Sequence, residues 1–179
     1  MCDTSFRDIL RSFSVLQNQR TDMTVSSIPP SGSSHSDTAK TGLMQGKKGL
    51  VMGVANDRSI GWGIAAAAAG QGAELAFTYQ GDALKKRVNP LAESVGSDIV
   101  LPCDVTDEVS VDLVFNTLKE KWGKLDFLVH AIAYSDKEEL KGGYVDTTRE
   151  NFQKTMEISV YSFTALARRA AEMMPDGGS

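Results

Sequence analysis

From residue 47 onward, apolar residues come in short unbroken runs separated by longer stretches in which they recur with helical spacing. The runs at 47–54, 74–79, 98–105 and 125–133 predict strands, and the first of them lacks the in-and-out alternation of a strand with one wet face. That first strand is therefore expected to be covered on both sides. Between the runs, 59–71, 82–95 and 106–122 predict helices, and 151–174 predicts a long fourth one carrying Phe152, Met156, Val160, Phe163, Ala167 and Ala170 as an apolar stripe. The punctuation agrees with these limits. Asp82 is placed to cap the second helix, Thr147-Thr148-Arg149-Glu150 has the form of a capping start, and Gly72, Gly96 and the run Pro175-Asp176-Gly177-Gly178 act as stops.

A helix between each pair of consecutive strands requires parallel strands joined by right-handed crossovers. The fold class is α/β, a Rossmann-like doubly wound parallel sheet, extending here over about four βα units. Pro102 cannot donate to a ladder and so belongs on an outer strand, which predicts the order 3-2-1-4. In that order the fourth strand has an open apolar edge unless a fifth pairs with it.

Residues 1–43 read differently. Phe6, Ile9, Leu10, Phe13 and Leu16 are helically spaced, but residues 24–41 are rich in Ser, Thr, Gly and Pro and offer too little apolar surface to offset ordering. They are expected to form a flexible leader, with residues 44–179 as the folded unit. Composition narrows the function: 19 Lys and Arg against 23 Asp and Glu give a net charge of −4, which does not favour a nucleic-acid surface. No apolar run approaches the ~18 residues that would span a bilayer, and the start Met1-Cys2-Asp3 lacks the features of a secretory signal, so a cytoplasmic protein is expected. Cys2 and Cys103 do not form a disulfide framework, and Cys103 is expected to be a small buried residue.

The chemistry is concentrated after the first strand. Gly53 ends the apolar run, a polar turn follows, and Ser59-Ile60-Gly61-Trp62-Gly63 opens the alanine-rich helix. A βα turn of this kind brings helix N–H groups and a positive dipole end to one spot, which suits a pyrophosphate. A tight connection with no ligand is the alternative. Gly53 with Ser59-Ile60, Phe77-Thr78-Tyr79-Gln80, Cys103-Asp104-Val105 and His130-Ala131-Ile132-Ala133 together resemble the short-chain dehydrogenase/reductases. More narrowly, they resemble the NADH-dependent enoyl-[acyl-carrier-protein] reductases of type II fatty-acid synthesis, over residues 43–179.

That resemblance implies an NADH/NAD cofactor and an enoyl-acyl-carrier-protein substrate, with residues 44–179 as the N-terminal part of the dinucleotide-binding domain. It places Gly53, Ser59 and Ile60 along the pyrophosphate, Gln80 near the adenosine ribose, Asp104 and Val105 at the adenine, and Ile132 and Ala133 beside the nicotinamide ribose. It also implies a homotetramer formed partly through the last helix. The family's catalytic tyrosine and a lysine seven residues on are expected beyond residue 179, so no catalytic residue is assigned within this chain. Tyr134 and Lys141 show the same spacing but lie in a polar loop, where seven residues do not make neighbours. Tyr161 is followed at that spacing by Arg168. Ser159 stands where the wider superfamily commonly carries an Asn. Lys85, Lys86 and Arg87 read as a solvated helix face, His130 as a hydrogen-bonded strand residue, and no Cys/His spacing suggests a metal. Two alternatives stay open: another short-chain enzyme, and a non-catalytic nucleotide-binding remnant.

Overall fold

The computed structural model describes residues 42–179; of the leader expected at residues 1–43, residues 1–41 lie outside the described part. Four strands form one parallel sheet: β1 Lys48–Met52, β2 Glu74–Tyr79, β3 Ile99–Pro102 and β4 Phe127–His130. Their order is β3-β2-β1-β4, as the position of Pro102 suggested. The helices α1 Ile60–Gly70, α2 Gly81–Ser94 and α3 Glu108–Trp122 alternate with them. After β4 come two short 3-10 turns, Lys137–Leu140 and Tyr144–Asp146, and then α4 Arg149–Met156, a π-helical turn Glu157–Tyr161 and α5 Ser162–Glu172.

Alternate residues of β1 point to opposite faces, which explains why its sequence is apolar throughout. Val51 joins Ala65 of α1 and Val88 and Ala92 of α2 in one core. Leu50 and Met52 pack on the other face with Val111, Val114 and Leu118 of α3 and Leu166 and Ala170 of α5. The chain thus winds outward through β2 and β3 on one face, then returns across β1 to β4 on the other. Strand order reverses between β1 and β4, and a doubly wound sheet has its crevice at such a switch, at the carboxyl ends of the strands.

Three local expectations are corrected. Asp82 is not the cap of α2; Gln80 occupies that place and Asp82 lies in the first turn, where its charge favours the helix dipole. The long helix expected at 151–174 is interrupted: Thr148 caps α4 by accepting from the Asn151 N–H at 3.2 Å, but the π-helical turn separates α4 from α5. The β4 edge is not wholly open, because Ser179 N–H donates to the Asp126 carbonyl at 3.2 Å and the Ser179 carbonyl accepts from Leu128 N–H at 2.8 Å. At the same end of the sheet, the Asp126 side chain accepts from Lys48 N–H at 2.9 Å and from the Lys47 ammonium at 3.2 Å, fixing the starts of β1 and β4 together.

Candidate functional site

The crevice is a cavity of about 640 Å³ at the carboxyl ends of the four strands. Its floor is Gly53, where β1 turns toward α1. Gly53 has φ +91, and a Cβ there would run into the Ala131 carbonyl oxygen and carbon of the neighbouring strand's exit. Both facts exclude any other residue without strain. The close crossing is held by Ala131 N–H donating to the Met52 carbonyl at 3.0 Å.

Beyond Gly53 the turn is built by Ser59. Its hydroxyl accepts from Ala55 N–H at 3.2 Å and Asn56 N–H at 3.3 Å and donates to the Asn56 carbonyl. The Ser59 side chain is thereby spent on the turn and does not line the cavity, nor does Ile60, which is 79% exposed. The other six residues named from the sequence do: Gly53, Gln80, Asp104, Val105, Ile132 and Ala133 come together in its wall.

On the β2–β3 side, Asp104 is held from three directions. Its Oδ1 accepts from Thr106 N–H at 2.9 Å and from the Thr106 hydroxyl at 2.7 Å, and its Oδ2 accepts from Gln80 Nε2 at 2.8 Å. The Thr106 hydroxyl, then the Thr106 N–H, hold the carboxyl below the usual aspartate range, with Gln80 adding to them. Next to it the buried Cys103 thiol is pushed up to about 11 by that burial, which favours its un-ionised form.

On the β4 side the wall continues from Ile132 and Ala133 to Tyr134, and is closed by Lys154, Glu157 and Ile158 from α4 and the π-helical turn. Tyr134 does not meet Lys141, which pairs with Glu138 at 2.7 Å. Its hydroxyl donates to Asp136 at 2.6 Å and accepts from the Lys154 ammonium at 3.1 Å. Ser159 lies against the same segment, accepting from Tyr134 N–H at 3.0 Å and donating to its carbonyl at 3.3 Å. Tyr161 and Arg168 lie away from this cavity, on a smaller polar cleft between α3 and α5.

His130 is the hydrogen-bonded strand residue expected. Its Nε2 is 2.7 Å from the Ser162 hydroxyl, which itself donates to the Ile158 carbonyl at 2.6 Å. The hydroxyl's one proton is therefore engaged, and His130 Nε2 must be the donor. Burial lowers the pKa of His130 below its ordinary value. Among the described residues, no cluster of His, Cys, Asp or Glu could hold a metal ion, and no helix is long and apolar enough to cross a membrane.

Sequence reasoning missed Thr106, Tyr134 and Lys154 as parts of this wall. Thr106 has a local signal, an Asp two residues earlier that can form an Asx turn. Lys154 has none, since its place depends on how α4 docks against the β4 exit.

A family model described as enoyl-(acyl carrier protein) reductase matches residues 53–179. The chain belongs to that family. The enoyl-[acyl-carrier-protein] reductase [NADH] 2 of Rhizobium meliloti (strain 1021) is 67% identical over 138 residues, which are 77% of this chain and 52% of the relative. Among solved structures, FabI from Candidatus Liberibacter asiaticus is 56% identical with a TM-score of 0.74, over 75% of this chain and 52% of that one. The enoyl-(acyl-carrier-protein) reductase of Anaplasma phagocytophilum, solved in complex with NAD, is 58% identical with a TM-score of 0.73 and the same coverage. The chain spans about half the length of these relatives.

Proposed function

We propose that this chain supplies the NADH-binding portion of an enoyl-[acyl-carrier-protein] reductase that saturates the trans-2 double bond of enoyl thioesters in type II fatty-acid synthesis. The observation that carries the reading is the crevice at the β1/β4 switch, where the missing side chain of Gly53 lets the β1 turn cross close against the Ala131 backbone and both residues line the cavity. The donor set fits a dinucleotide. The positive end of α1 beside the Gly53 turn suits a pyrophosphate, Gln80 and Asp104 offer an amide and a carboxylate to an adenosine, and small residues at 131–133 admit a flat ring. When bound, NADH supplies the hydride. The chain's own residues bind and orient it: Gln80, Asp104 and Val105 at the adenosine end, Ile132 and Ala133 at the other, with Ser59 shaping the turn and Ile60 following it into α1.

The proposed setting is cytoplasmic and the proposed assembly a homotetramer. Val109 and Leu113 on α3, Phe152 and Met156 on α4, Val160 in the π-helical turn and Phe163 on α5 are large, apolar and exposed, and such side chains favour an interface. The test is a chimera in which the portion of the Rhizobium relative that this chain does not span follows residue 179. The expected result is NADH oxidation dependent on a trans-2-enoyl thioester, by a particle of tetramer mass in light scattering. A folded chimera that binds NADH yet leaves enoyl thioesters untouched would contradict the proposed reaction.

A further inference from the structure

Lys154 belongs to no motif, yet it lies in the cavity wall and joins two groups on the segment that leaves β4. Its ammonium donates to the Tyr134 hydroxyl at 3.1 Å and to Asp136 Oδ1 at 3.3 Å, and stands 4.6 Å from the centre of the Tyr134 ring. Tyr134 in turn donates to Asp136 at 2.6 Å, so the three side chains form a closed triangle.

The triangle is one of three ties between α4 with its π-helical turn and the same short segment. One turn before Lys154, the buried Asn151 accepts from Asp136 N–H at 2.9 Å and donates to the Ser135 hydroxyl at 3.1 Å. Beyond it, Ser159 both accepts from Tyr134 N–H and donates to the Tyr134 carbonyl. Ser159 holds backbone, Asn151 holds backbone and the Ser135 hydroxyl, and both need only short polar side chains. Lys154 holds the Tyr134 side chain, and Tyr134 is the residue of that segment in the cavity lining.

The topology says which end of a dinucleotide this concerns. In a doubly wound sheet the pyrophosphate lies at the first βα turn and the adenosine toward the end of β2, so the remaining half falls on the β4 side. We propose that Lys154 is a positioning residue for that half of the cofactor: through Tyr134 and Asp136 it fixes the wall formed by Ile132, Ala133 and Tyr134, without itself reading the phosphates. This rests on the cofactor reading above. A wall held in one conformation spares the ligand the cost of ordering it, which is how a residue off the ligand changes affinity.

The test compares two ligands on the 179-residue chain by titration calorimetry, NAD⁺ and ADP. ADP carries the adenosine and pyrophosphate and lacks the half that meets the β4 wall. For Lys154→Met, NAD⁺ affinity is expected to fall by about three- to tenfold, the scale of a partly exposed ion-pair network, while ADP affinity stays within about twofold. Lys154→Arg, which can bridge both acceptors, should recover most of the loss. Tyr134→Phe added to Lys154→Met should cost little more, because the two act as one unit. Equal loss for NAD⁺ and ADP would overturn the proposal, pointing to direct phosphate recognition or a general structural effect; so would unchanged NAD⁺ binding. Failure of the unsubstituted chain to bind either ligand would overturn the cofactor reading and this proposal with it, whereas binding by the parent with no effect of Lys154→Met rejects this proposal alone.

Discussion

Gln80 Nε2 donates to Asp104 Oδ2 at 2.8 Å, joining the end of β2 to the end of β3 across the outer half of the crevice. A carboxylate only accepts, so the amide must present its NH₂ to Asp104 and its oxygen elsewhere. Two of the carboxylate's acceptor positions serve Thr106 and one serves Gln80, which leaves about one for a ligand. On the proposed dinucleotide reading, Asp104 would shape the adenosine end at least as much as contact it. Asp104→Ala is expected to weaken ADP and NAD⁺ alike, by about tenfold, the scale of losing a charged hydrogen-bond partner. Loss for NAD⁺ alone would place Asp104 at the wrong end of the cofactor.

The cofactor preference follows from what Gln80 lacks. It offers no positive charge to a 2′-phosphate, and the Lys85 ammonium stands 5.8 Å from the Tyr79 ring centre, engaged by that ring. NAD⁺ is expected to bind more tightly than NADP⁺ in parallel titrations, and Lys85→Ala to leave the ratio unchanged. Equal affinities would mean that Lys85, Lys86 or Arg87 reaches the phosphate and that their solvated face is a binding face.

His130 sets a pH dependence. Burial holds its folded pKa below the unfolded value of ~6.5, so as pH falls through that range the unfolded chain takes up a proton first. The contribution to stability is full above ~6.5 and is lost as pH drops toward the folded pKa. His130→Gln keeps a donor for the Ser162 hydroxyl but cannot titrate. Melting curves between about pH 7 and 5 should show a decline for the parent and a flatter profile for the variant. Parallel declines would assign the effect to other groups.

The fold and much of the site were legible because their causes are local. Uniformly apolar runs, Pro102 on an outer strand and glycine at residue 53 each follow from one or a few neighbouring residues. What was not legible depends on geometry that residue spacing does not carry. The Ser59 hydroxyl accepts from the Ala55 and Asn56 amides, a turn that the sequence pattern did not announce. The π-helical turn at Glu157–Tyr161 interrupts an otherwise good helical stripe, and such turns gather at functional sites. Tyr134 does have a lysine, but Lys154 reaches it from another element, twenty residues away, while the lysine at the suggestive spacing pairs with Glu138.

That arrangement bears on catalysis. The Tyr134 hydroxyl donates to Asp136 and accepts from Lys154, so it is committed to holding the wall and not to polarising a carbonyl. The 179-residue chain alone is expected to show no NADH oxidation above background with a crotonyl thioester, since positioned acid and electrostatic help commonly account for orders of magnitude in rate. Turnover that disappears in Tyr134→Phe would make Tyr134 a catalytic residue.

The crevice at the β1/β4 switch is expected to bind a nicotinamide dinucleotide over Gly53. Calorimetric titration of NAD⁺ into the parent chain, Gly53→Ala and Gly70→Ala tests it most directly, with circular dichroism confirming the fold of each. Gly70 ends α1 with open space around it, so alanine there should be neutral or stabilise by about 0.5–1 kcal/mol and leave binding intact. Gly53→Ala forces a side chain into the Ala131 carbonyl at a left-handed φ, and a destabilised but folded variant should bind NAD⁺ at least about tenfold more weakly. A folded Gly53→Ala chain that binds NAD⁺ as the parent does, or a parent chain that does not bind it, would contradict the account.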